Sequence, residues 1–460
     1  MVLQNQAAKE KGTHMMKRSF FSVTTPRIQV DSLPGVLPDS VRIETPRQVM
    51  LLIEETAENG QAMMIQKGDP VKTGQKISLS PDSGAYAIST VTGTITHIEP
   101  FPGESGKQFT AVSVAVSEDA DLDEGFAAYC DRPSLESAVD LLGCLPGSPA
   151  FEEFTDADNP IQTIVVNAMD QDLFIITAQY ALQAFYHELT QGIQHLKTIT
   201  GVGNIVIAAP QDAIQGYGDM GASVISIDKG YPEGLPHLIA QRVTGHEIPV
   251  GKDFKDFGIA FLSVEAVASL GRSFQNKKLA RTKLVTFMDK NGNRSLVSAI
   301  VGTPISDILK RFDLDLNDQD RIIIGGPLNG YSTYTDAFPI RPDTEAVLLQ
   351  DKNDVALVSD YPCINCGDCI RVCPARVPVN MLIRFLEAGQ YEEAAENYDL
   401  YSCLECGLCS YVCVSRIPIF QSIKLAKYEL GRAATCSGSI SIRSPLGVVF
   451  IFDCNSSICS

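Results

Sequence analysis

Cys363-Ile-Asn-Cys366-Gly-Asp-Cys369-Ile-Arg-Val-Cys373-Pro374 and Cys403-Leu-Glu-Cys406-Gly-Leu-Cys409-Ser-Tyr-Val-Cys413-Val414 are the two stretches that decide the reading of this chain. They hold eight of its thirteen cysteines. In this spacing the first three thiolates wrap three corners of one iron–sulfur cube, and the fourth, set three residues further on, serves the other cube. The pattern assigns one 4Fe-4S cluster to Cys363, Cys366, Cys369 and Cys413, and a second to Cys403, Cys406, Cys409 and Cys373. The alternative is a pair of zinc sites, because C-x-x-C is also zinc-knuckle spacing. Four evenly spaced cysteines, given twice, exceed what tetrahedral zinc needs. Val414 stands where proline usually follows the last cysteine; that residue shapes a turn and ligates nothing.

Working outward, the segment between the runs reads as helical. Leu382, Phe385, Leu386 and Gly389 share one face, and Tyr391, Ala394, Ala395 and Tyr398 share the face of a second helix. A third helix is expected from Pro418, where a missing N–H is harmless, with Ile419, Ile423, Ala426 and Leu430 buried. The clusters would then lie in an all-helical module.

At 460 residues the chain exceeds one core and divides into several domains. Its formal charge of -18 argues against nucleic acid, since a phosphate-binding face wants the opposite sign. Cysteines arranged for clusters rather than disulfides imply a reducing compartment. The longest apolar run, Leu446 to Phe452, is too short to span a bilayer, so a membrane role must run through a partner.

The first fifteen residues are polar and aperiodic, unlike a signal peptide, and Met16 is an alternative start. From Leu51 to Val116, short alternating runs broken by turns indicate a small β domain. Gln66 to Ile77 and Ser89 to Ile95 are similar to the barrel-sandwich hybrid of biotinyl and lipoyl domains, with Gly68 and Gly74 in turns and Val71 and Ile77 facing inward. Its hairpin tip, Ser80 to Ala85, has no lysine to carry a swinging arm, so the domain is expected to be structural or to dock. From Ile161 to Phe274 strands alternate with helices, including one long helix over Ile175 to Leu196, which implies a parallel sheet covered on both faces. Gly201-Val-Gly203 precedes a strand and is a helix stop rather than a dinucleotide fingerprint. A hairpin follows, Leu284 to Met288 and Ser295 to Val301 about the Asn291-Gly292 turn; Thr303 is expected to cap a helix from Pro304 to Arg311, and Arg321 to Pro327 closes a small β-grasp. After Gly431 a serine-rich tail with Cys436, Cys454 and Cys459 is expected to be disordered. Cys130 and Cys144 are expected to be structural.

This order of parts, over Val41 to Leu430, resembles the RnfC family, the C subunit of the Rnf complex, which is the ion-translocating ferredoxin:NAD oxidoreductase. Besides the cysteine runs, Gly302-Thr-Pro-Ile-Ser306, Ile324-Gly-Gly-Pro327, Tyr231-Pro-Glu-Gly234 and Thr244-Gly245 carry the likeness. Asn167-Ala-Met-Asp170 is closer to the A subunit of the sodium-translocating NADH:quinone reductase (Nqr), which has the first three domains without clusters. The resemblance implies an α/β and α+β chain with these boundaries: 1–40 an extension, 41–118 barrel-sandwich, 130–276 flavin- or nucleotide-domain-like, 280–350 SLBB-like β-grasp, 355–432 two-cluster module, and 433–460 tail. It also implies a flavin and nucleotide cradle, of which Gly143 and Gly147, with the acidic Asp170 and Asp172, are the matching residues. Pro146 and Pro149 each remove an N–H donor from that cradle, so FMN and NADH are expected to bind weakly or not at all. The function implied is an electron-transfer subunit held peripherally on the cytoplasmic face of the inner membrane, passing electrons from a soluble donor (NADH, ferredoxin or a flavoprotein) to membrane subunits. A flavin-binding, NADH-oxidising subunit and a quinone-site or scaffold subunit are the rival readings.

Overall fold

The computed structural model describes residues 28–30, 33, 37–55, 64–81, 84–104, 107–213, 218–359 and 361–436. Most of the N-terminal extension, Asp82 and Ser83 of the hairpin tip, and the tail beyond Cys436 lie outside the described residues. The chain forms two compact units, one of Val30–Leu316 with Ile322–Leu348, the other containing Leu349 onward with Asn317–Arg321.

The larger unit is built on sheets whose residues follow the expected periods. In the first, Gln48–Ile53 pairs antiparallel with Gln108–Val116, which pairs with the long strand Gly93–Pro102. Alternation along Gln48–Ile53 turns Val49, Leu51 and Ile53 into a core with Val71, Ile77, Ile95, Val112 and Val114. Gly68 and Gly74 turn the chain at φ of 99° and 93°, values a side chain resists.

Next comes a sheet of four parallel strands in the order Ser223–Ile227, Asn204–Pro210, Thr163–Asn167, Ile259–Ser263. The apolar runs Ile164–Val166 and Ile205–Ala209 are buried, as covered parallel strands require. The expected long helix is two: Thr177–Ala184 and Tyr186–Thr200. Phe185 breaks it at φ -113°, ψ 30°, where its ring takes the Arg272 guanidinium at 4.2 Å. Tyr186–Thr200 then crosses Val264–Asn276 at close range, because Cβ atoms on Gly192 and Gly271 would each fall 1.9 Å from a carbonyl of the other helix. Gly201 ends the first of these helices at φ 72°, as a stop should.

A mixed sheet completes the unit. The hairpin Thr282–Met288 and Arg294–Ile300 is antiparallel, and Ala346–Gln350 runs parallel beside its first strand. Asp289 holds the hairpin loop by accepting from the N–H groups of Asn291 and Asn293. The helix Ile305–Arg311 starts one residue later than expected, and Thr303 does not cap it. Pro304 is the capping residue; the Thr303 hydroxyl is buried and makes no hydrogen bond among the described residues.

In the smaller unit, the helices Asp368–Arg371, Val379–Glu387, Tyr391–Asn397, Leu408–Val412 and Ile419–Cys436 enclose a core of Val377, Val379, Leu382, Ile383, Leu386, Ala394, Leu400, Ile419, Ile423 and Ala426. Phe385 stacks on Tyr398 at 4.3 Å. The last helix runs to Cys436, past the expected end at 432, since Arg432 and two alanines after Gly431 favour continuation.

Candidate functional site

The two cysteine runs fold as copies of each other. Each C-x-x-C loop has a left-handed residue before its second cysteine and a glycine after it: Asn365 and Gly367 at φ 58° and 76°, Glu405 and Gly407 at 56° and 71°. From each glycine a short helix departs, Arg371 N–H donating to Gly367 and Tyr411 N–H to Gly407. Each run then closes through a second left-handed residue, Arg376 and Arg416, both at φ 55°. The copies are offset by 40 residues, as Cys403 stands to Cys363.

That geometry brings the thiols into two sets. Cys363, Cys366, Cys369 and Cys413 line one cavity together with Ile364, Gly367, Ile383, Val414, Ile417 and Ile419. Cys373 joins the other set, close enough to raise the thiol values of Cys403, Cys406 and Cys409. The fourth cysteine of each run thus lies with the first three of the other. Burial, followed by the neighbouring thiols, pushes Cys369 up to about 11, while burial pushes Cys406 up to about 12. Loading therefore releases protons, because the ligand is the thiolate.

Four sulfurs per site suit a 4Fe-4S cube, and backbone N–H groups face them. Glu405 N–H donates to Cys403 Sγ at 3.4 Å, and N–H groups of Ile370, Leu408 and Ser410 face Cys369, Cys406 and Cys409. Such donors are a means of tuning cluster potential. Among the described residues, no group of three or more His, Cys, Asp or Glu closes tightly enough for a single metal ion.

The copies differ in exposure. Cys366 is exposed whereas its counterpart Cys406 is 7% exposed. They also differ in charge, through residues that sequence reading did not single out. Lys427, from the last helix, donates to the Cys403 carbonyl at 3.0 Å and to Glu405 at 2.7 Å. The only signal for it in sequence is its position on the buried side of Ile419–Cys436, one residue from Ala426.

The residues of the expected cradle have other occupations. Gly143 N–H donates to the Tyr86 hydroxyl at 3.1 Å, Gly147 N–H to the Pro342 carbonyl at 2.8 Å, and Ser148 N–H to Leu145. Gly147 lies against the start of Val264–Asn276: its carbonyl accepts from Ser263 Oγ, and a Cβ there would sit 2.5 Å from Ala266 N. The stretch therefore covers the carboxyl end of Ile259–Ser263, beside the point where strand order reverses and such sheets bind ligands. Asp170 is buried and accepts from Ala178 N–H and Gln179 Nε2, at the start of Thr177–Ala184. Asp172 accepts from its neighbour Leu173 and from the N–H groups of Leu328 and Asn329. Gly326 is glycine because its Cβ would fall 2.1 Å from Asp172. Asp172 thus ties the segment after Thr163–Asn167 to the turn before Tyr331–Thr333, while Asp170 holds the start of Thr177–Ala184. Cys144, half-buried, donates to the Tyr86 carbonyl.

Among the described residues no helix is long and apolar enough to cross a membrane. Residues 40–121 match the family described as the RnfC barrel sandwich hybrid domain, and residues 356–414 match the 4Fe-4S dicluster domain. The chain is similar to the C subunit of the ion-translocating oxidoreductase complex of Yersinia enterocolitica, 25% identical over 78% of this chain and 55% of that protein. The protein of the same name from Buchnera aphidicola (subspecies Baizongia pistaciae) is 24% identical over 82% of this chain and 79% of the other. These relatives lend no support to the likeness to the sodium-translocating reductase. A crystal structure of NAD+-reducing nickel–iron hydrogenase aligns over 75% of each chain with a TM-score of 0.42 and 12% identity, too distant to bear on the fold. The chain spans little more than half the length of the Yersinia protein, and its likeness is to the C subunit of ion-translocating oxidoreductase complexes.

Proposed function

We propose that this chain is the iron–sulfur electron-transfer subunit of a membrane-associated, ion-translocating oxidoreductase complex. The observation that carries the reading is the convergence of the eight cysteines into two crossed sets of four. Cys363, Cys366, Cys369 and Cys413 hold one 4Fe-4S cluster, and Cys403, Cys406, Cys409 and Cys373 the other. When bound, such a cluster supplies reversible one-electron chemistry at a potential set by its surroundings. The chain's own work is to position the thiolates, to exclude water around the second set, and to aim N–H groups at sulfur.

Electrons pass between a soluble donor and membrane subunits at the cytoplasmic face. The barrel-sandwich domain and the mixed sheet, a β-grasp of the SLBB type, serve docking and structure. The α/β domain has no working cradle, since the N–H groups of Gly143, Gly147 and Ser148 already have partners. Electrons therefore reach the clusters from another protein or from a different site than this cradle.

Anaerobically purified protein is expected to contain about eight irons and eight acid-labile sulfides per chain, and titration with FMN to leave flavin absorbance and fluorescence unshifted. Two zinc ions without sulfide would overturn the cluster reading; stoichiometric flavin, bleached by NADH, would overturn the reading of the α/β domain.

A further inference from the structure

The two halves of the cysteine module share a backbone but differ in one charged arrangement that ligation does not require. In the second half, the Lys427 ammonium lies between the Cys403 carbonyl and the Glu405 carboxylate, with the two side chains only 12% and 16% exposed. In the first half the residue matching Glu405 is Asn365, whose Oδ1 accepts from Asn380 Nδ2 at 2.7 Å. The residue matching Lys427, one offset earlier, is Glu387, which is exposed. A cation held largely out of water acts on its neighbours through a low-dielectric surrounding, where its field is strong.

We propose that Lys427, positioned by Glu405, raises the reduction potential of the cluster on Cys403, Cys406, Cys409 and Cys373, offsetting the burial of that half. The inference rests on the cluster reading above. Uptake of one electron makes a cluster more negative, and a low-dielectric surrounding opposes that change. Cys369 and its counterpart Cys409 are both buried, but Cys406 is buried where its counterpart Cys366 is exposed, and that difference sets the second cluster below the first. An ammonium against the backbone of a ligand favours the more negative, reduced state. Glu405 fixes the Lys427 side chain and takes back part of its field. Lys427 is thus a positioning charge that brings the two potentials together, so that an electron passes between the clusters without a large step.

The test is a redox titration of the full chain, anaerobically reconstituted and followed by electron paramagnetic resonance. Signals are assigned with the variants Cys413→Ala and Cys373→Ala, each lacking one cluster. Lys427→Met is expected to lower the potential of the second cluster by at least a tenfold change in its reduced-to-oxidised ratio at fixed poise, about 59 mV for one electron. The first cluster should move much less. Glu405→Gln is expected to shift the second cluster upward, and Lys427→Arg to keep it near the wild-type value. Lys427→Met leaving both potentials in place, or moving them equally, would overturn the inference. So would a shift of the same sign in Lys427→Met and Glu405→Gln, which marks a structural disturbance rather than a charge effect. Iron and sulfide content separates the two levels: wild-type protein lacking two clusters fails the cluster reading, whereas protein with both clusters and unmoved potentials fails this inference alone.

Discussion

The edge of the parallel sheet and the cysteine module were both expected to hold a cofactor, and their donors are in opposite states. At the sheet edge, Gly143, Gly147, Asp170 and Asp172 all have partners within the fold. In the module the thiols lie near one another, an arrangement that burial makes unfavourable for thiolates until something positive arrives. The difference teaches that residue types at the right spacing identify a site only where the fold gathers their ligating atoms instead of spending them on its own turns. Two glycines and two aspartates can be as well explained by a tight turn and a helix start as by a phosphate.

The largest expected effect tests the open side. Cys373→Ala is expected to abolish the cluster of the second run, and Cys413→Ala that of the first, each halving iron content; loss of the cluster of its own run in either variant would refute the crossed arrangement. A smaller effect tests the closed side. Asp172→Ala strips the acceptor from the Leu328 and Asn329 N–H groups and is expected to cost about 3 kcal/mol, read as a denaturant midpoint shift with flavin affinity unaltered. A loss of flavin binding without a loss of stability would show that Asp172 faces a ligand after all.

A further test of the closed side concerns pH. Burial raises Asp170 to about 7 and Asp172 to about 6, both above the value of about 3.9 in an unfolded chain. An acid that holds its proton more tightly when folded gives its full contribution below about pH 4, and loses it as pH rises through the folded value. Stability is therefore expected to fall between about pH 4 and 7, and Asp170→Asn to flatten that fall; denaturation series at pH 5 and 8 would show it.

Much of the module was legible because its signal is chemical and periodic at once. Cysteine spacing names the group, and Leu382, Ile419, Ile423 and Ala426 fall where a helix must bury them. The parallel sheet was legible from apolar runs such as Ile164–Val166. What escaped depends on contacts far apart in sequence. No local pattern says that Gly326 makes room for Asp172, or that Tyr86 takes the Gly143 N–H. The break at Phe185 has no glycine or proline to announce it, and the ring's partner there, the Arg272 guanidinium, comes from another helix. Thr303 had the residue type of a cap, but Pro304 occupies the capping position and the hydroxyl was drawn into the interior. No local pattern says that the fold lays Lys427 against Cys403.

The exchange of the fourth cysteine makes the two halves of the module hostages to each other. Cys413 completes the cavity of the first run and Cys373 joins the second, so neither half is a self-sufficient unit of assembly. A chain cut between the runs, near Gly389, would yield fragments that each hold three ligands of one cluster and one of the other. Oxidative loss of the more exposed cluster would likewise free Cys413 and loosen the short helix Leu408–Val412 that precedes it. Damage at the surface is thereby felt in the protected half, because the ligand it frees follows that half's short helix.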